Sequence, residues 1–117
     1  INTLPDYLFS GCAGLKKIEL PEKITRIGNY AFQGCLALKK VSIPETVTTI
    51  GEGAFKNSGL TTISIHEFLS EIGEGALDGC KSLTSIKLKK KNKYYVMVGT
   101  ALYTADKTNL VAKPGGR

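Results

Sequence analysis

The chain has 117 residues, 42% hydrophobic and 22% charged, which suits one soluble globular domain and argues against a disordered tail. Its formal charge of +6 rests on lysine, with arginine only at Arg26 and Arg117, so acidic partners are favoured but the arginine content of dedicated nucleic-acid readers is missing. No apolar run approaches the roughly 18 to 20 residues of a membrane span, and no charged n-region with a following apolar stretch opens the chain.

Taken in order, the chain begins with Leu4-Pro5, then Tyr7-Leu8-Phe9, then Gly11 and the unit Leu15-Lys16-Lys17-Ile18-Glu19-Leu20. That unit returns as Leu38-Lys39-Lys40-Val41-Ser42-Ile43, Leu60-Thr61-Thr62-Ile63-Ser64-Ile65 and Leu83-Thr84-Ser85-Ile86-Lys87-Leu88, with leucines 23, 22 and 23 residues apart. A period of this length is the signature of a solenoid, in which each copy hides its apolar edge only by stacking on its neighbours. Within each unit the last two apolar residues are two apart and mostly β-branched, which predicts a short parallel strand with rungs about 4.8 Å apart. Lys17 and Glu19, Lys40 and Ser42, Thr62 and Ser64, Ser85 and Lys87 then point outward and form an exposed face.

A second apolar pair follows each unit: Ile24 and Ile27, Val47 and Ile50, Leu69 and Ile72. These predict short strands on the opposite side. The columns Ile27-Gly28, Ile50-Gly51 and Ile72-Gly73 are answered by Leu4-Pro5, and because proline fixes φ near −65° the glycines are needed for close approach and not for positive φ. Next come Tyr30-Ala31-Phe32, Gly53-Ala54-Phe55 and Gly75-Ala76-Leu77, ended by Gly34, Asn57 and Gly79. Asn is the best non-glycine occupant of the left-handed region, so this column predicts the αL end of a one-turn helix. Phe9, Phe32, Phe55 and Leu77 are expected to stack as an internal spine, each contributing roughly 1.5–3 kcal/mol on burial.

The ordered columns Ile27-Gly28, Ala31-Phe32, Gly34-Cys35, Leu38, Val41, Ile43 and Pro44 resemble the BspA-like (Treponema pallidum-type) leucine-rich repeats of bacterial and protozoan surface proteins, and the resemblance runs from about Leu4 to Leu88. Ser58 for cysteine, Leu77 for phenylalanine, and His66 and Lys89 in the proline column depart from the pattern. The fold expected is a leucine-rich-repeat solenoid of the α/β repeat class: mostly short parallel strands with one-turn helices, a right-handed superhelix and a C-terminal β-hairpin cap. Residues 1–91 are assigned to repeats and 92–117 to the cap or an inter-block segment. There, Tyr94 to Tyr103 and Leu110 to Gly115 predict two or three strands around the polar turn Thr104 to Asn109. The start at Ile1 and the stop at Gly115-Gly116-Arg117 fall mid-pattern, which reads as a fragment of a longer repeat protein.

Chemistry-bearing residues are sparse. Cys12, Cys35 and Cys80 share a column without a C-x-x-C or a nearby histidine, and parallel side-chain vectors oppose a disulfide, so all three are read as buried thiols. His66 is read as a surface imidazole replacing a turn proline, not a general base. No nucleophile motif, carboxylate cluster or phosphate-cradling loop accompanies it. The run Lys89-Lys90-Lys91-Asn92-Lys93 is read as a solvated junction, and Tyr94, Tyr95 and Tyr103 as rings packed over the last repeat with wet hydroxyls.

The resemblance implies a non-catalytic, adhesin-like binding module at the cell surface or outside the cell, needing no cofactor or metal and taking host or matrix proteins or glycans. Nucleic acid is disfavoured because the exposed face lacks stacked aromatics. The candidate face is Lys16, Lys17, Glu19, Lys39, Lys40, Ser42, Thr62, Ser64, Ser85 and Lys87. A rigid spacer carrying another domain, and a polyanion binder using the lysine patch, are the alternatives.

Overall fold

The computed structural model describes residues 2–115, so the chain ends at Ile1 and Gly116-Arg117 lie outside the described residues. Strands β1 (Thr3–Leu4), β2 (Arg26–Ile27), β3 (Thr49–Ile50) and β5 (Glu71–Ile72) form one sheet in the order β1-β2-β3-β5. All its pairs are parallel, with Leu4, Ile27, Ile50 and Ile72 in one register. Strands β4 (Thr62–Ile65) and β6 (Ser85–Leu88) pair in parallel across the core, and β7 (Tyr95–Val98), β8 (Ala101–Thr104) and β9 (Leu110–Ala112) form an antiparallel sheet at the end.

Identical columns meet across successive copies because the period keeps them in register. Phe9 and Phe32 stack with centroids 5.5 Å apart at 19°, and Phe32 and Phe55 follow at 5.2 Å and 2°. Leu77 continues the row, and Leu38, Leu60 and Leu83 form a second buried row beside it. Phe9, at the first copy, has a ring neighbour on one side and is only partly buried.

The glycines after the β-branched column sit where expected. A Cβ on Gly51 would lie 2.5 Å from the Asn29 side chain and 2.7 Å from its amide nitrogen, and one on Gly73 would meet the Glu52 nitrogen at 2.3 Å. No L-residue with a side chain fits this approach without moving the adjacent copy.

Among the described residues there are no helices, and the one-turn helices expected from sequence are replaced by linked turns. Tyr7, Tyr30, Gly53 and Gly75, which open these segments, have φ of 60, 56, 57 and 68°. Gly11, Gly34, Asn57 and Gly79, which close them, are also left-handed, at 79, 74, 58 and 72°. A right-handed helix cannot pass through the first of these residues. Alternate amides turn to the next copy instead: Tyr7, Phe9 and Gly11 donate to the carbonyls of Asn29, Ala31 and Gln33 at 2.9, 2.8 and 2.7 Å, and the same bonds recur from Tyr30, Phe32 and Gly34. The amides in between, such as Ser10, Gln33 and Lys56, close turns onto Tyr7, Tyr30 and Gly53 of their own copy, so the backbone is satisfied alternately within and between copies.

The antiparallel sheet is fastened to the repeats by polar contacts. Asn92 is buried; its Nδ2 donates to the carbonyls of His66 (2.9 Å) and Leu69 (3.1 Å), while its Oδ1 accepts from the amides of Tyr94 (2.7 Å) and Tyr95 (3.0 Å). The Tyr95 hydroxyl accepts from the Ile72 amide at 2.7 Å, so this ring is buried with its hydroxyl occupied, contrary to the wet hydroxyl expected. Burial, with Glu71 nearby, pushes the Tyr95 phenol up.

At the β8–β9 turn, Asp106 accepts from Thr104 Oγ1 (2.6 Å), Thr108 Oγ1 (2.7 Å) and the Thr108 amide (3.0 Å). These bonds to the charged form, Thr104 first, lower its carboxyl from 3.8 to about 2. A depressed carboxyl stabilises the fold fully above its ordinary value and loses that contribution as pH falls through about 2. The Thr108 amide resonance is therefore expected to titrate with a midpoint near 2, and to show no such titration in Asp106→Asn. A midpoint at the ordinary carboxyl value would refute the turn geometry.

Candidate functional site

The exposed face is built on the units that begin at Leu15, Leu38, Leu60 and Leu83, but they are not equally regular. Thr62, Ile63, Ser64 and Ile65 pair in full register with Ser85, Ile86, Lys87 and Leu88. The corresponding stretches 17–20 and 40–43, expected to be strands as well, are not, and among the described residues their backbone groups make no hydrogen bonds to one another. The ladder is closed only between the third and fourth units, with Lys87 inside it; it is open both between the first and second units and between the second and third. At the first gap Lys16 and Lys17 would face Lys39 and Lys40 at rung spacing, a repulsion of about 1 kcal/mol per opposed pair in water; at the second, Lys40 and Ser42 would face Thr62 and Ser64, so like charge does not account for that opening.

The ends of these stretches remain pinned. Thr46 Oγ1 donates to the carbonyls of Glu22 (2.9 Å) and Ile24 (2.7 Å), joining the second copy to the first. The Thr61 amide donates to Lys39 O at 2.9 Å, joining the third to the second. Across the exposed face of the first two copies, as far as Thr62 and Ser64 of the third, runs an open groove of about 1480 Å³. It brings together Lys16, Lys17, Glu19, Lys39, Lys40, Ser42, Thr62 and Ser64 over a floor that includes Ile18, Leu20, Val41 and Ile43. Ser85 stays outside, paired with Thr62 across the ladder, and Lys87 lines an adjoining hollow of 430 Å³ with Ser42, Ser64 and His66.

The groove could not be found from the sequence, but the lysine columns marked its rim. The half-buried floor residues Ile18, Val41 and Ile43 were missed as site residues because their spacing reads as core, and Glu22 because it lies outside the repeated outward columns. Thr62 Oγ1, at the groove's edge, is buried with no hydrogen-bond partner among the described residues.

Two other expectations are corrected. His66 is buried, not a surface imidazole: its Nδ1 accepts from the Phe68 amide at 3.1 Å, so Nε2 carries the proton and donates to Pro44 O at 3.0 Å. The ring thus makes a cross-copy bond that proline could not. Cys12 is exposed, because no copy covers it, whereas Cys35 and Cys80 are buried and donate to the carbonyls of Phe9 (3.2 Å) and Phe55 (3.0 Å). Burial pushes both of these thiols up. Among the described residues, no three His, Cys, Asp or Glu side chains are grouped to hold a metal ion, and no helix is long and apolar enough to cross a membrane.

A family description of the BspA-type leucine-rich repeat region matches residues 2–105 in six copies. The chain belongs to this family. Among solved structures, this BspA-type chain is similar to a leucine-rich cell surface protein from Faecalibacterium prausnitzii, with 29% identity and a TM-score of 0.86 over 94% of its length. It is also similar to the pneumococcal vaccine antigen PcpA, with 26% identity and a TM-score of 0.84 over 97% of its length. It spans 29% of each of those chains. A leucine-rich repeat protein from Eubacterium ventriosum shares the fold at 22% identity and a TM-score of 0.74, over 97% of this chain and 36% of that one. A comparison with curated protein sequences found no significant match.

Proposed function

We propose that this BspA-type module is a non-catalytic, adhesin-like binding unit of a cell-surface or secreted protein, and that its ligands are host or matrix proteins or glycans held on the lysine-rimmed face. The observation that carries this reading is the groove of 1480 Å³, which gathers eight of the ten candidate residues over a partly apolar floor. The F. prausnitzii relative, described as a cell surface protein, supports the location. In this reading residues 1–91 form a right-handed stack and the segment from 92 onward closes its apolar end.

Exposed lysines act through screened charge, so binding to a sulfated glycan or an acidic matrix protein should weaken steeply between low and physiological salt. Lys17→Glu with Lys40→Glu should abolish it while leaving thermal unfolding unchanged, since both side chains are solvated. Binding that survives both substitutions places the site elsewhere. Absence of saturable binding to any matrix or cell material by the folded chain favours a spacer.

A further inference from the structure

We infer that the groove between 17–20 and 40–43 receives an extended peptide of a protein partner by strand addition, with acidic residues at its lysine end and apolar side chains along its floor. This rests on the face being a binding surface and names what it takes.

Four observations converge on it. Both stretches alternate as extended chain does: Ile18 is half-buried, Glu19 exposed and Leu20 buried, and Val41 is half-buried, Ser42 exposed and Ile43 half-buried. Their main-chain donors and acceptors are nevertheless unpaired among the described residues, and a row of unpaired backbone groups is a template for another strand. The same unit is competent to pair, since Thr62–Ile65 and Ser85–Leu88 make a full parallel ladder. Finally, the groove is graded in charge. Lys16, Lys17, Lys39 and Lys40 stand at the N-terminal end of the two stretches, while Glu19 and Glu22 lie toward the other end.

A sulfated glycan would engage the lysines and leave the apolar floor and the backbone row uncovered. A peptide engages all three. With about 3.3 Å per extended residue, four to six residues would span the unpaired stretch.

The test uses the whole chain and a short acetylated peptide of two glutamates followed by alternating valine and threonine. Two further versions carry N-methyl groups on one or the other set of alternate amides, which keeps charge and side chains but removes donors. The unmodified peptide should bind saturably and slow hydrogen exchange at 17–20 and 40–43. One of the methylated versions should bind about tenfold or more weaker, the loss of one or two hydrogen bonds. Equal binding by all three peptides, or protection elsewhere, overturns strand addition. If the peptide fails while a sulfated glycan or matrix protein binds and is lost on Lys17→Glu with Lys40→Glu, strand addition is wrong and the face stands. If nothing binds the face, both fall.

Discussion

Phe32→Ala is expected to destabilise the chain by about 3 to 5 kcal/mol, read as a lowered urea midpoint with little change in slope. Phe32 is fully buried and is stacked between Phe9 and Phe55, so its removal leaves a cavity walled by two rings that the backbone ladder holds apart. Collapse would require neighbouring copies to tilt out of register, and the bonds from Tyr30, Phe32 and Gly34 to Glu52, Ala54 and Lys56 resist that. A domain of this size has only about 5 to 15 kcal/mol of stability, so the variant should sit near the edge of folding. Phe9→Ala should cost markedly less, because Phe9 is partly exposed and has one ring neighbour. Equal losses at both positions would show that the rings do not form a single interior row.

Asn92→Ala is expected to cost about 3 kcal/mol and to act locally. Its amide group serves four partners, each bond contributing about 1 kcal/mol, and truncation strands the carbonyl of Leu69 and the amides of Tyr94 and Tyr95, while the His66 carbonyl keeps only a long 3.4 Å bond from the Leu69 amide. Repeat stacks lose order unit by unit when an end is loosened. Hydrogen exchange should therefore accelerate in β7 to β9 first, with β2 and β3 still protected. Asn92→Asp tests the donor alone: it retains acceptors for Tyr94 and Tyr95 but sets a carboxylate against two carbonyls, and should be at least as damaging. Uniform acceleration across the chain in either variant would mean that the antiparallel sheet and the repeats unfold as one unit.

The stack was legible because periodicity is a property of the whole chain. The strand column at Ile27, Ile50 and Ile72, the stacked phenylalanines, the close-approach glycines and the left-handed Asn57 all follow from residues repeated in step. The turn segments differ from the expected one-turn helices because the column that opens them is left-handed as well as the column that ends them. Gly53 and Gly75 beneath Tyr7 and Tyr30 were the sign that the opening residue is left-handed too, and two tyrosines in that column obscured it.

Asn92 was hidden for a different reason. Inside a run of lysines it reads as solvent-facing, yet only its amide among those side chains can both donate and accept, which suits the junction it fills. His66 was misplaced by treating a substituted proline column as a surface position; the imidazole bridges Pro44 O and the Phe68 amide, a bond that depends on a copy 22 residues away. Part of the open ladder could be suspected from the lysine columns, because like charges opposed on the first two rungs are unfavourable; the gap before Thr62–Ile65 opposes no like charges and carries no such signal. That opening creates a groove depends on where Thr46 and Thr61 pin the ends, and no local pattern records this.

Residue-resolved hydrogen exchange on the free chain tests most directly whether an in-register stack leaves its sheet face open at the first two copies. Amides of Phe32, Gly34, Phe55 and Asn57, and those of β4 and β6 that pair, should be strongly protected, while those of 17–20 and 40–43 exchange near the rate of an unstructured peptide. Protection at 17–20 and 40–43 equal to that in β4 and β6 would mean the ladder is continuous, and would contradict the groove and everything built on it.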